Sequence, residues 1–309
     1  MTQHYVEDKD IIKFSFLIQV LWRWKFLIAF VVTLSAGASA FYAVSLPNVY
    51  RGELIAKLPD DQSGGAMGGL ANKLGGLASL AGVNIGGGSG KVLDQVKDLV
   101  RSRSFLHAFI EKYDLTADIL AVKGWEPSSR KLIYNEEIYD AENKMWTRTP
   151  PPNRQVIPTP WEAYTKLLSS ITIEAMPKKS MLKLSVDHYS PDLAKKWVEL
   201  LLFEINELHR QKSKQEAQAS IEYLQKTLES TELINVRKVF YDLLEEQMKS
   251  DMLAEVRQEY VLETLAHAVL PEEKNHPSRA FICIVGTFLG GLLSIILAFI
   301  ANAIFRVKD

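Results

Sequence analysis

Ala280–Phe305 reads AFICIVGTFLGGLLSIILAFIANAIF, 26 residues without a charge, and Phe26–Leu46 reads FLIAFVVTLSAGASAFYAVSL, 21 more of the same kind. Each exceeds the roughly 20 apolar residues with which a helix crosses about 30 Å of hydrocarbon. The composition of all 309 residues, 47% hydrophobic and 24% charged, averages these runs away. Placed at the two ends, they predict a two-pass membrane protein with about 230 polar residues between them, enough for a domain with its own core. The expected organisation is a tail over 1–25, a first span over 26–46, a soluble domain over 47–279, a second span over 280–305 and a tail over 306–309.

Ala38-Ser39-Ala40 has the small-residue pattern of a signal-peptidase site. A retained span is favoured because the apolar run is longer than the roughly 7–15 residue core of a signal, and because 25 residues carrying Glu7, Asp8 and Asp10 precede it. Orientation follows the basic residues near the span ends. Lys9, Lys13, Arg23, Lys25, Arg306 and Lys308 lie outside, against Arg51, Lys57, Lys274 and Arg279 on the domain side, which favours both termini in the cytoplasm. Trp22 and Trp24 sit where an interfacial aromatic anchor belongs.

Within the domain, Leu54, Ala56 and Leu58 alternate with polar neighbours, which predicts a strand over Tyr50–Leu58. Gly64–Gly90 holds eleven glycines and reads as a loop that its leucines and alanines can pack locally or against a neighbouring subunit. Val92, Val96, Leu99, Val100, Phe105, Leu106, Phe109 and Ile110 recur at helical spacing up to Tyr113. Short strands and turns around Asn135 and Asp140 follow, then a proline-rich connection over 149–160 and a helix over Trp161–Ser169. Ile171, Ile173 and Ala175, a turn at Pro177–Ser180, and Leu182, Leu184 and Val186 make a hairpin.

Ser190 before Pro191 is a helix start, the hydroxyl capping free amides and the proline standing where its missing N–H costs nothing. From there to about Ala266 the chain has neither Pro nor Gly, so the expectation is one very long helix over about 191–266, or two with a small break, of roughly 110 Å. Its apolar face is Leu193, Trp197, Leu200, Leu201, Leu208, Ile221, Leu224 and Leu228. Phe240, Leu243, Leu244, Gln247 and Val256 resume it after an interruption at Thr231–Asn235. Such a face packs on its own domain or forms a self-associating coiled surface.

Charge and motifs exclude several classes. With 36 basic and 37 acidic residues, nothing argues for nucleic acid. The single cysteine, Cys283, lies in the second apolar run, so no intrachain disulfide is available. GGGSGK at 86–91 fails as a phosphate loop, with Ile85 in place of the first glycine and Val92 in place of the magnesium-binding hydroxyl. His4, His107, His188, His209, His267 and His276 are scattered without metal-site spacing and read as surface residues. No catalytic residues, metal ligands or cofactor are expected, and the chain does not read as an enzyme. The remaining pattern is Pro271 and Pro277 before the second span and Gly286, Gly290 and Gly291 within it, where Gly286 and Gly290 make a flat strip one turn apart that lets another helix approach closely.

Two terminal spans, a very long helix and a proline segment entering a glycine-bearing span resemble the polysaccharide co-polymerases, the Wzz-type chain-length determinants. LPNVYRGELIAKLP (46–59), LVRSRSFLHAFIEKYDL (99–115) and AVLPEEKNHPSRAFICIVGTFLGG (268–291) carry the likeness. Pro271 and Pro277 match the outer prolines of the family's segment, and Lys274 replaces the middle one. The resemblance implies an α+β fold with an α/β base and a projecting long helix, in the periplasm of a Gram-negative cell and anchored in the inner membrane. It further implies a homo-oligomeric ring or bell that works beside an O-antigen polymerase on a lipid-linked polysaccharide and sets its length without being an enzyme. Pro271, Pro277, Gly286, Gly290 and Gly291 would then serve assembly or polymerase contact. The short tail 306–309 would lack the kinase of the capsule branch. A periplasmic adaptor or scaffold of a transport or secretion system also joins a span to long helices, but ordinarily lacks the second span.

Overall fold

The computed structural model describes residues 14–59, 89–230 and 233–306. In chain order its elements are α1 (Phe14–Arg23), α2 (Lys25–Ser45), β1 (Val49–Lys57), α3 (Ser89–Arg101), α4 (Arg103–Lys112), α5 (Thr116–Leu120), β2 (Val122–Glu126), β3 (Lys131–Tyr134), β4 (Tyr139–Asp140) and β5 (Met145–Trp146). They continue with α6 (Pro160–Ser170), β6 (Ile171–Met176), β7 (Met181–His188), α7 (Pro191–Glu229), α8 (Ile234–Val256), β8 (Glu263–Ala266), β9 (Lys274–His276) and α9 (Arg279–Arg306). The chain forms two compact units, Met1–Pro47 with His276–Asp309, and Asn48–Asn275.

The first unit is helical. The two apolar runs are the helices α2 and α9, each long and apolar enough to cross a membrane. Their large side chains face outward, Phe41 at 80% exposed and Phe281 at 66%, a surface suited to hydrocarbon and not to water. α1 was not expected from the sequence. It runs on through Trp24 into α2, since Trp24 N–H donates to Val20 O at 3.1 Å and Ile28 N–H to Trp24 O at 3.0 Å.

The second unit is α+β. Its five-stranded sheet has the order β6-β7-β1-β8, with β9 also pairing β1. β1 lies antiparallel to β7, Leu54 opposite Leu184 and Ala56 opposite Leu182, and β6 and β7 form the predicted hairpin. One face of the sheet carries the core. Leu54, Ala56, Leu182, Leu184 and Val186 are buried there together with side chains from α3, α4, α6 and α7. Each fully buried Leu, Ile or Val contributes roughly 1.5–3 kcal/mol. Gly52 allows the closest approach, because a Cβ at this position would lie 2.3 Å from Ala194 O on α7.

Two helix expectations are corrected. Val92–Tyr113 is not continuous: Ser102 is extended (φ −68°, ψ 144°) and its Oγ accepts from Phe105 N–H at 3.3 Å, which caps α4. The break lets Val96 and Val100 on one helix and Leu106 and Phe109 on the other reach the same core. Over about 191–266 the second expected alternative forms, two helices with a small break, but they fold back on each other as a hairpin and end at Val256, not Ala266. α7 spans 39 residues, about 58 Å, and ends at Ser230. Leu233 is extended, and α8 returns along α7. Arg210 donates to Ala254 O at 3.3 Å, and Lys214 pairs with Glu255. The reversal covers Ala217, Leu224 and Leu228, which a single straight helix would leave in water. The chain then leaves α8 at Arg257 and enters the sheet as β8.

Ser190 and Pro191 open α7 as expected, Ser190 Oγ accepting from Leu193 N–H at 3.4 Å. The turns at Asn135 and Asp140 form through their carboxamide and carboxylate oxygens, which accept backbone N–H groups two or three residues on. The glycine-rich loop lies outside the described residues up to Gly88, and Ser89 begins α3.

Candidate functional site

The glycine strip is the best-defined feature of the helical unit. Ser35 and Ser39 on α2 lie one turn apart, as do Gly286 and Gly290 on α9, and the antiparallel helices set Ser39 against Gly286 and Ser35 against Gly290. A Cβ at Gly286 would fall 2.4 Å from Ser39 Cβ, and one at Gly290 would fall 2.0 Å from Ser35 Oγ. Ser35 Oγ donates to Gly286 O at 2.7 Å. Small residues at four-residue spacing on both helices thus permit backbone approach and an interhelical hydrogen bond, the two devices that join helices where no hydrophobic force acts between them. Gly286 and Gly290 are therefore covered by α2 of the same chain. Gly291 has nothing within 4 Å of its Cβ position and faces outward. Pro277 precedes α9, and Pro271 belongs to the α+β unit, where it borders a groove along β1. Near the other end of the unit, Lys25 Nζ stands 5.1 Å from the Trp22 ring, a cation–π contact beside an aromatic anchor.

In the α+β unit polar contacts cross the central strands and gather at helix ends. Arg51 holds Asp187 through two hydrogen bonds of 2.7 Å across β1 and β7, and Asn275 Nδ2 donates to the same carboxylate at 3.2 Å. Arg148 donates to Glu162 at 3.0 Å and to the carbonyls of Gln155 and Val156, tying the proline-rich connection to α6. The guanidinium holds the Glu162 carboxyl down at about 2, and the backbone N–H of Thr159 adds to this. Burial and the neighbouring Glu204 carboxylate push the Tyr113 phenol up to about 12.

His188 departs from the expectation that the histidines are surface residues. It is 6% exposed, its ring packs 4.7 Å from Trp197, its Nδ1 accepts from Ser190 N–H at 3.0 Å, and Nε2 lies 3.3 Å from Asp118 O. Burial lowers its pKa, so the ring stays neutral. Among the described residues no three His, Cys, Asp or Glu side chains group as metal ligands.

Sequence reasoning missed Asn206 as well. Its Nδ2 donates to Leu262 O, and its Oδ1 accepts from Val261 and Leu262 N–H, all at 2.9 Å. The available signal was an asparagine inside the apolar stripe LLFEIN of the long helix, where a polar side chain is costly unless it meets partners.

These features define a class: an α+β domain carried between two helices that are apolar enough to span a membrane and that pack on each other through a small-residue seam. Residues 10–113 match the family described as "Wzz: Chain length determinant protein". The match contains α2, β1, α3 and α4, so the resemblance to the Wzz-type co-polymerases holds over these elements. Among solved structures, a full-length bacterial polysaccharide co-polymerase is similar at 11% identity and a TM-score of 0.38, over 96% of this chain and 99% of that one. A fragment of WzzB, a polysaccharide co-polymerase from Salmonella Typhimurium, is similar at 12% identity and a TM-score of 0.29, over 74% of this chain and 100% of that one. No curated protein matches the chain.

Proposed function

We propose that the chain is a non-enzymatic regulator of O-antigen chain length in lipopolysaccharide. It is held in the inner membrane of a Gram-negative cell by α2 and α9, with residues 47–279 in the periplasm and both ends in the cytoplasm. The family match over residues 10–113 carries this reading, and the two outward-facing apolar helices support the membrane anchoring. The chain works as a homo-oligomer beside the O-antigen polymerase, on the lipid-linked polysaccharide that the polymerase extends. Support for assembly comes from α8, whose only buried residue is Ala254, while Ile234, Tyr241, Met248, Met252 and Val256 stay open on a helix that a monomer in water would not leave so bare.

In this reading an oligomer presents a surface of fixed extent, and polymer affinity or polymerase contact changes once the chain outgrows it. Pro271 and Pro277 end the domain. Gly286 and Gly290 join the two spans into one packing unit, and Gly291 leaves a side open to neighbours. The test is the length distribution of lipopolysaccharide on a gel, from cells with and without the gene. A modal cluster that collapses into smooth decay on deletion supports length control, and an unchanged ladder refutes it.

A further inference from the structure

The sheet of the α+β unit has one face covered by helices and one open. On the open face, Arg51, Glu53 and Ile55 of β1 form the floor of a groove of about 520 Å³, walled by the segment Ala266–Asn275. This volume lies within the roughly 300–1,000 Å³ of small-ligand sites.

The lining has a definite chemistry. Arg51, Glu53, Glu273 and Lys274 sum to no net charge, and the floor charges are already paired, Arg51 with Asp187 at 2.7 Å and Glu53 with Lys183 at 2.8 Å. The floor therefore offers an ion no uncompensated partner, and the opposite charges of Glu273 and Lys274 stand side by side on the wall. What remains is hydrogen-bonding capacity. Arg51 uses Nε and one Nη2 hydrogen on Asp187, so of the five donors of a guanidinium the others have no partner among the described residues. Asn275 gives its amide N–H to Asp187 and keeps its carbonyl oxygen. Beside these planar groups stand Ile55, Leu270 and Pro271, apolar surface against which ring C–H faces can lie. Rigid donors and acceptors next to apolar surface, in a charge-balanced groove, suit a molecule dense in hydroxyls and without charge.

We infer that this groove binds a segment of a neutral polysaccharide; the identification of the ligand as the polymer under length control rests on the function proposed above. Ile55 supports a sugar ring from below, the free donors of Arg51 and the Asn275 carbonyl hydrogen-bond neighbouring hydroxyls, and the open side lets the polymer run on in both directions. A site that engages a segment in mid-chain fits a regulator that handles a growing polymer.

The test uses the full-length chain in lipid nanodiscs, titrated by fluorescence anisotropy with end-labelled polysaccharide released by mild acid from cells carrying the gene. Ile55→Trp fills the floor, and Asn275→Ala removes one acceptor while Arg51 still holds Asp187. Asn275→Ala should weaken binding about fivefold, the loss of one neutral hydrogen bond, and Ile55→Trp should weaken it more, with unfolding midpoints close to that of the unaltered protein. Binding by both variants equal to that of the unaltered protein overturns the groove, as does failure of the unaltered protein to bind. Displacement by polyphosphate but not by unlabelled neutral saccharide overturns the ligand class. The gel of the deletion strain separates the two proposals: normal binding by the variants with a collapsed modal cluster leaves length control standing without this site. Lost binding with an unchanged ladder leaves a saccharide site on a protein of another function.

Discussion

Asn206, midway along α7, grips the backbone of Leu262 on both sides, its Nδ2 donating to Leu262 O and its Oδ1 accepting from Leu262 N–H, each at 2.9 Å. Val261 N–H shares the same oxygen. The clasp sets where the chain returning from α8 joins the sheet. Asn206→Leu keeps the volume but strands three backbone groups, each worth about 1–3 kcal/mol when buried without a partner. The expected loss is about 3 kcal/mol or more, read from the urea midpoint of the purified protein. A loss below about 1 kcal/mol would show that the return is held by packing alone.

β1 passes α7 at Gly52 with no room for a side chain, since the nearest atoms to a Cβ are the backbone of Ala194. Backbone cannot swing aside as a long side chain can. Gly52→Ala should therefore cost about 1–3 kcal/mol by overpacking, while Gly124→Ala, whose Cβ would meet only Ile133 at 3.7 Å, should be neutral or slightly stabilising, because alanine lowers the entropy of the unfolded chain. Equal thermal shifts for the two would contradict the close approach.

The small-residue seam makes a geometric prediction. In a Cys283→Ser background, Ser39→Cys with Gly286→Cys should cross-link on mild oxidation once the helices part by the roughly 1 Å that a disulfide's Cβ–Cβ spacing requires, and Ser39→Cys with Gly291→Cys should not, because Gly291 faces away. Gly286→Leu with Gly290→Leu should separate the helices and abolish the cross-link between positions flanking the seam, whereas Gly291→Ala should leave it intact.

His188 gives the domain a pH dependence. Burial lowers its folded pKa below the 6.5 of a free imidazole side chain, so the folded state resists protonation that the unfolded chain accepts. The stability tied to the neutral ring is present above pH 6.5 and is lost as pH falls below it, since a proton on Nδ1 removes the acceptor of Ser190 N–H. The unfolding midpoint should drop between pH 7 and pH 5. His188→Leu should be less stable at pH 7, with that segment of the profile flattened. An unaltered profile would assign the pH dependence elsewhere.

Glu162 acts in a lower window. Its folded pKa of about 2, against 4.5 for a free side chain, means that its contribution is complete above pH 4.5 and disappears as pH falls toward 2. Arg148→Ala should release the connection over 149–158 at neutral pH, and limited proteolysis there should quicken relative to the unaltered protein.

The first apolar run and the second announce two long helices by themselves, because a stretch without charge over 20 residues has few other uses in a folded chain. Alternation was equally direct for β1 and for the β6–β7 hairpin, where every second residue faces the core. Ser190-Pro191 marked the start of α7, since capping is a matter of neighbouring atoms. Contacts between distant residues were not visible in that way. Ser102 has no proline or glycine beside it, so local pattern let that helix run on, and the interrupted apolar face at Thr231–Asn235 marked a break but not the reversal of direction; burial of both halves against a shared partner outweighs a few lost helical hydrogen bonds in each case. The strip Gly286–Gly290 was visible as a surface, but that its occupant is Ser35 and Ser39 of the same chain depends on pairing across 251 residues. Likewise His188 and Asn206 are polar letters in the sequence, and only the packing of α5, α7 and β8 around them places each in a dry site where every hydrogen bond must be met from within. Periodicity and capping are local and belong to the sequence alone. Burial and partner choice are joint properties of segments far apart, and the tertiary structure decided them.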